Sequence, residues 1–150
     1  MRVIIQRVSE AELRIDDTVF SSIEAGLLIL LGIEEADNSE DIIWLSRKIS
    51  SMRIFSDHED KMNLSVADIS GEILVVSQFT LHASTKKGNR PSFIKAAKPG
   101  QAKILYEAFI SQLKEDSGLN IKTGVFGAMM DINLVNSGPV TIFMDSKNKE

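Results

Sequence analysis

The chain has 150 residues, 43% hydrophobic and 25% charged, an ordinary balance for one folded domain with a core of its own. It contains no cysteine, which excludes disulfides, thiolate chemistry and cysteine metal sites. Its net charge of −4 excludes broad wrapping of nucleic acid, but the charge is uneven: between Glu72 and Glu107 lie no acids and six bases, Lys86, Lys87, Arg90, Lys95, Lys98 and Lys103. Such a window is either a solvated face or a local phosphate-attracting patch.

The first segment, "RVIIQRV", alternates as a strand and puts Val3, Ile5 and Arg7 on one face. A guanidinium on an apolar face needs acceptors, because an unpaired buried charge is very costly. Either the strand is an edge and Arg7 snorkels outward, or Arg7 braces nearby backbone or a carboxylate. Residues 11–15 and 19–23 flank "DDT", a hairpin turn. "GLLILLGI" at 26–33 is an apolar run expected of a strand covered on both faces, and it is far too short to span a bilayer. The first ten residues lack a signal peptide's apolar segment, so the sequence reads as soluble and cytoplasmic.

"ADNSEDIIWLSRKISSM" predicts a helix, with capping-box spacing at Asp37 and Glu40 and a stripe of Ile42, Leu45, Ile49 and Met52. "RIF" is a short strand, "SDHEDK" a turn, and "ISGEILVVSQF" a turn leading into a strong strand. Residues 82–100 hold glycines, prolines and bases and read as a long loop, which in a compact domain is usually functional or mobile. "GQAKILYEAFISQLKEDSGLN" predicts a second helix with Leu105, Ala108, Phe109 and Gln112 on one side and Gly118 as its stop. Then follow "IKTGVFG", a strand "AMMDINLVN", a turn "SGP", a strand "VTIFMD" and a tail, "SKNKE", expected to fray. No repeat or internal boundary is visible, so residues 1–150 are expected to form one mixed α/β domain.

Residues 75–85, "VVSQFTLHAST", begin as a core strand and then fill with polar groups. Either a strand end dissolves into a loop here, or an active site aims these groups at a substrate. His82 lies two residues after Thr80, so on a strand both side chains point the same way, which leaves open a threonine–histidine nucleophile and base. No acid close in sequence orients the imidazole, and a bystander His82 is the simpler reading. His58 sits in an acidic turn. No metalloprotease, phosphate-loop or nucleophile-elbow motif occurs. Gly138–Pro139 reads first as a routine turn. A cis Gly–Pro bond, however, costs only about 0.5–1 kcal/mol and can turn two carbonyl oxygens to one side, as an ammonium group requires.

Six motifs in order over nearly the whole chain carry a resemblance: "MRVIIQRV", "KMNLS", "SQFTL" at 77–81, "RPSF" at 90–93, "TGVFGAMM" at 123–130 and "NSGPVT" at 136–141. Together they resemble the D-aminoacyl-tRNA deacylases of the bacterial and eukaryotic type. The resemblance implies a β/β/α arrangement, two sheets forming a roll with two main helices, in a homodimer with active sites at the interface. It implies hydrolysis of the ester joining a D-amino acid, or mischarged glycine, to the 3′-terminal adenosine of tRNA, with no metal and no cofactor.

By the same resemblance Ser77, Gln78, Phe79 and Thr80 form the catalytic floor, with the Phe79 backbone N–H as a donor to the ester carbonyl. Thr80 is then either a nucleophile or, as we prefer, a positioning group beside a water helped by the ribose 2′-hydroxyl. Gly138 and Pro139, as a Gly–cisPro element, reach the partner's pocket, capture the amino group and exclude L side chains. Arg7 braces that element. Phe126, Gly127, Ala128, Met129 and Met130 form the adenosine pocket. Ser137 stands where the family often has aspartate, a position that precedes the motif. Lys86, Lys87 and Arg90 are the candidates for tRNA phosphate contacts. The rival reading is a non-catalytic nucleic-acid-binding module using Phe79, Phe93 and Phe126 for stacking. A plain esterase for small D-amino-acid esters would leave the basic window unexplained.

Overall fold

The computed structural model describes residues 1–149. The elements run β1 (Arg2–Ile15), β2 (Thr18–Ile23), β3 (Gly26–Gly32), α1 (Ser39–Ser50), β4 (Phe55–Ser56), β5 (Met62–Leu64), β6 (Glu72–Ser77), a 3-10 turn (Phe79–His82), α2 (Pro99–Ser117), β7 (Ile121–Thr123) and β8 (Asp131–Asp145). The strand order is β2-β1-β3-β6-β7, with β8 on the other edge of β1. β4 and β5 form a separate small sheet. β3, β6 and β7 are parallel and β1 is antiparallel to its three neighbours. The crossover from β3 to β6 contains α1, and that from β6 to β7 contains α2.

β1 explains the layering. "RVIIQRV" and residues 11–15, expected as two strands, are one strand of fourteen residues. Its first half pairs with β3 and its second half with β2 along one edge, while β8 follows nearly its whole length on the other. The buried positions change phase on the way, from Val3 and Ile5 to Val8, then to Ala11 and Leu13. Side chains alternate faces with period two, so the phase change moves β1 from one core to another. Val3 and Ile5 join the larger core with Ile42, Leu45 and Ile49 of α1 and Tyr106, Phe109 and Leu113 of α2. Val8, Ala11 and Leu13 join a second core with Leu28, Leu74 and Val76. β3 and β6 are therefore covered on both faces, as the apolar run at 26–33 predicts. The two β layers are halves of one curled sheet, which with the helices gives the expected β/β/α arrangement.

"SGP" is not a turn between two strands: β8 is continuous from Asp131 to Asp145, and "AMM" lies outside it. Register against β1 jumps from Gln6↔Thr141 to Val8↔Asn136, so Arg7 alone faces the four residues 137–140, which loop out of the ladder. No cis peptide bond occurs among the described residues, so Gly138–Pro139 is trans and the Gly–cisPro expectation does not hold here. The loop bends instead through Gly138, at φ +118, a conformation that favours glycine.

The α1 cap is shifted by one residue. Asn38 accepts from Glu40 N–H and the Asp41 carboxylate accepts from Asn38 N–H. Asp37 turns inward and accepts from the Met1 ammonium at 2.5 Å and from Glu34 N–H at 2.8 Å. The buried stripe of α2 is Ala102, Tyr106, Phe109 and Leu113, not one containing Ala108. Pro99 opens the helix and Gly118, in the left-handed region, ends it. The tail does not fray at residues 146–149. Ser146 is buried, Lys147 pairs with Asp41 at 2.7 Å, and Lys149 lies over the Trp44 ring. Burial opposes ionisation of Asp41, but the Lys147 hydrogen bond and its other partners outweigh it and hold the carboxyl below its ordinary range.

Candidate active site

β6 carries its apolar run, Ile73 to Val76, into the interior and stops at Ser77. The chain then tightens into the 3-10 turn of Phe79–His82. Thr80 and His82 therefore do not sit on a strand, and the geometry that would have aimed both the same way is absent. His82 is buried, with its Nδ1 4.0 Å from the Glu34 carboxylate. Burial pushes its pKa down, against the opposing pull of the Gly32 carbonyl and Glu34. The Thr80 hydroxyl accepts a hydrogen bond from the Gln78 side-chain amide. An amide N–H cannot take a proton from a hydroxyl, so this contact orients Thr80 without activating it. The Phe79 N–H is the first of its turn and has no acceptor within it.

The turn opens onto a cleft of about 670 Å³. Ser77, Gln78 and Phe79 line one side and all five residues of 126–130, Phe126 to Met130, line another; Phe93, Ala96, Ala97, Lys98 and Pro99 complete the wall. The first two groups and Phe93 stand out in the sequence; the Ala96–Ala97 stretch and Pro99 carry no chemical signal of their own. Behind the wall, the Tyr106 hydroxyl donates to the Val75 carbonyl at 2.8 Å, and its ring packs 5.7 Å from that of Phe126. Burial raises the Tyr106 pKa, so the hydroxyl stays a donor. A second cleft of about 660 Å³ lies between β1, β2 and β8. Its Glu72 and Lys122 pair with each other at 2.6 Å, and Lys122 also donates to the Ser22 carbonyl. The first cleft, walled largely by apolar groups and holding the polar strand end, is the better candidate for a ligand site.

The basic residues are arranged with more order than a loop over 82–100 implies. Ser84 and Ser92 exchange backbone hydrogen bonds at 2.7 and 3.0 Å. They close a finger that carries Lys86, Lys87 and Arg90, all exposed. The Phe93 ring meets Phe79 edge-on at 5.1 Å. Beyond it, Ala97 N–H donates to the Ile33 carbonyl. The finger thus starts from the 3-10 turn and returns to the end of β3, and of the six bases only Lys98 lines the cleft itself.

Gly138 and Pro139 are exposed and do not line the cleft of their own chain. Arg7 Nε donates to the Ser137 carbonyl at 3.0 Å and Nη1 to the Ile54 carbonyl at 2.5 Å. This accounts for a guanidinium on β1: it fills the gap opposite the looped-out segment.

The chain matches the D-Tyr-tRNA(Tyr) deacylase family over residues 4–145. A D-aminoacyl-tRNA deacylase of Flavobacterium psychrophilum is 61% identical over 150 residues, covering all of both chains. One of Akkermansia muciniphila is 57% identical with the same coverage. A solved structure titled c-Myc DNA Unwinding Element Binding Protein superposes with a TM-score of 0.90 at 39% identity, covering 97% of this chain and 98% of that one. A probable eukaryotic D-amino acid tRNA deacylase superposes at 0.80 with 16% identity, covering 95% and 97%, and shares the fold. The protein belongs to the D-Tyr-tRNA(Tyr) deacylase family. No helix among the described residues is long and apolar enough to cross a membrane.

Proposed function

We propose that the protein hydrolyses the ester bond of D-aminoacyl-tRNA, releasing the D-amino acid and free tRNA, as a step of chiral proofreading in translation. Glycine mischarged on tRNA is a second substrate, since it too lacks an L side chain. The observation that carries the reading is one cleft walled by both the Ser77–Gln78–Phe79 strand end and residues 126–130, in a chain 61% identical from end to end to a deacylase so named. The whole chain acts as one deacylase domain in the cytoplasm, where charged tRNA is found. Neither a non-catalytic binding module nor a small-ester hydrolase has comparable support.

The terminal adenine stacks in the apolar part of the cleft, along Phe126 and Met129. The ester carbonyl then lies at the 3-10 turn, where the Phe79 N–H receives its oxygen. Water adds to the carbonyl carbon, and the negative charge that develops on the oxygen is met by a dipole already in place. Collapse of the tetrahedral intermediate breaks the bond to the ribose 3′-oxygen. That oxygen takes up the proton that the water loses, relayed by the neighbouring 2′-hydroxyl. Gln78 and Thr80 hold the geometry. The Lys86–Lys87–Arg90 finger contributes affinity through tRNA phosphates without reading sequence.

The working unit is a homodimer in which Gly138 and Pro139 of one protomer face the partner's cleft. Both residues are exposed and lie away from their own cleft, and Val135 and Phe143 of the same strand are about half exposed. Arg7 holds the segment, and glycine there leaves room at the substrate α-carbon only when the side chain points as a D residue does. Incubation with D-Tyr-tRNA, L-Tyr-tRNA and a small D-Tyr ester tests the function. Rapid deacylation of the first alone is expected. Comparable rates on both tRNAs would overturn the chiral reading, and binding without hydrolysis would favour the binding module.

A further inference from the structure

The turn that bears the Phe79 N–H is poorly held by its own bonds. It has four residues, and its end bonds are Leu81 N–H to Gln78 at 3.2 Å and Ala83 N–H to Thr80 at 3.0 Å. Hydrogen bonds in so short a 3-10 segment are weaker than those of an α-helix. An oxyanion donor, in contrast, must keep its aim to a fraction of an ångström. The entry of the turn is fixed from outside, because Gln78 N–H donates to the Leu31 carbonyl of β3 at 2.8 Å.

The exit has an outside tether as well. Arg2 Nη1 donates to the Leu81 carbonyl at 3.1 Å, a group otherwise left over at the end of the turn. Arg2 Nε donates to Asp145 Oδ2 at 2.8 Å, so the guanidinium is held from behind by the last residue of β8. Burial opposes ionisation of Asp145, yet the Arg2 hydrogen bond and the Lys147 N–H outweigh it and keep the carboxyl below its ordinary value. Neither Arg2 nor Asp145 lines the cleft. With both ends fixed from outside and Gln78 bonded to Thr80 within the turn, the Phe79 N–H stays available to the ester in the deacylase reading.

We propose that Arg2, locked by Asp145, is a positioning residue for deacylation, holding the exit of the 3-10 turn so that the Phe79 N–H keeps its aim; this rests on the deacylase reading above. Lysine cannot reproduce the role fully, since a single ammonium does not present the planar fork that spans carboxylate and carbonyl together.

Steady-state and single-turnover deacylation of D-Tyr-tRNA by Arg2→Met, Arg2→Lys and Asp145→Asn tests the proposal, together with amide hydrogen exchange at Leu81 and Ala83. Arg2→Met is expected to lower kcat by about 10- to 100-fold, the cost of a misaligned reacting group. KM and the salt dependence should stay within about twofold of wild type. Arg2→Lys should recover part of the loss, Asp145→Asn should fall between, and exchange at Leu81 and Ala83 should quicken while that of α1 is unchanged. A kcat for Arg2→Met within twofold of wild type, or a loss expressed in KM, would overturn the proposal. Should Arg2→Met not fold, the milder Asp145→Asn carries the same test with the same readings. Wild-type protein inactive on D-Tyr-tRNA would sink the deacylase reading instead, and exchange at the two amides would still decide whether Arg2 tethers the turn.

Discussion

Replacing Gly138 with alanine should destabilise the protein through Arg7. A Cβ built on Gly138 would overlap Arg7 Nη2 outright, lie 3.1 Å from Cζ, and touch Val140 Cγ2 at 3.4 Å. Two costs add. A non-glycine residue held at φ +118 is strained by about 1–3 kcal/mol. Pushing the guanidinium aside breaks its bond to the Ser137 carbonyl, and a hydrogen bond from a charged donor contributes about 1.5–3 kcal/mol. The expected loss is therefore about 2.5–6 kcal/mol, a large part of the roughly 5–15 kcal/mol of a typical domain. The single tryptophan, Trp44 on α1, reports unfolding by fluorescence. With a urea slope of about 2 kcal/mol/M, the midpoint should fall by about 1.2–3 M, measured at one protein concentration so that any self-association is held constant. In an Arg7→Ala background the overlap is gone, and Gly138→Ala should cost only the strain, about 1–3 kcal/mol. An equal shift in both backgrounds would refute the role given to Arg7.

Three further outcomes are expected. Thr80→Ala should reduce deacylation of D-Tyr-tRNA by much less than the several powers of ten that loss of a nucleophile produces, because the hydroxyl accepts from Gln78 and meets no base; a loss of about a million-fold would make it the nucleophile. Changing Lys86, Lys87 and Arg90 together to alanine should weaken tRNA binding and flatten its salt dependence while the saturated single-turnover rate holds; an unaltered salt slope would reduce the finger to a solvated face. His82 sits buried with its pKa below the ordinary 6.5, so the folded protein binds fewer protons there than the unfolded chain. Stability is whole above the unfolded value and is lost as pH falls from about 6.5 toward the folded one; His82→Phe should remove that part of the slope in urea titrations, and identical slopes between pH 7 and 5 would show that His82 is not its source.

The apolar pattern made much of the fold legible. The runs at 26–33 and 73–76 became strands buried on both faces, and α1 and α2 appeared where periodicity put them. The continuity of β1 and β8 was hidden, because the looped-out segment opposite Arg7 and the unpaired Ser9 of β1 break the alternation that marks a strand. Arg7 looked anomalous for the same reason: its place is defined by a gap in a strand some 130 residues away. At the site, Ser77–Thr80 stood out as polar groups ending an apolar strand. Arg2 did not stand out, since nothing in "MRV" points to a carbonyl at Leu81. The cis bond expected at Pro139 rested on the family resemblance and on the low cost of a cis Gly–Pro bond; the structure bends the chain at Gly138 instead.

The two hydrogen bonds between Ser84 and Ser92 have a consequence for how this protein can change over time. They clasp the base of the finger, so the seven residues beyond it form a closed loop whose length and charge are insulated from the turn at Phe79. Closing a somewhat longer loop costs little entropy, only about 0.6 kcal/mol for a doubling of length. Residues can therefore be inserted, deleted or recharged at the tip without disturbing the turn at Phe79. If the finger's bases hold tRNA phosphates as proposed, grip on the nucleic acid and chemistry on the amino acid are separately heritable traits, and selection can retune the first for a new pool of tRNAs while the second stays as it is.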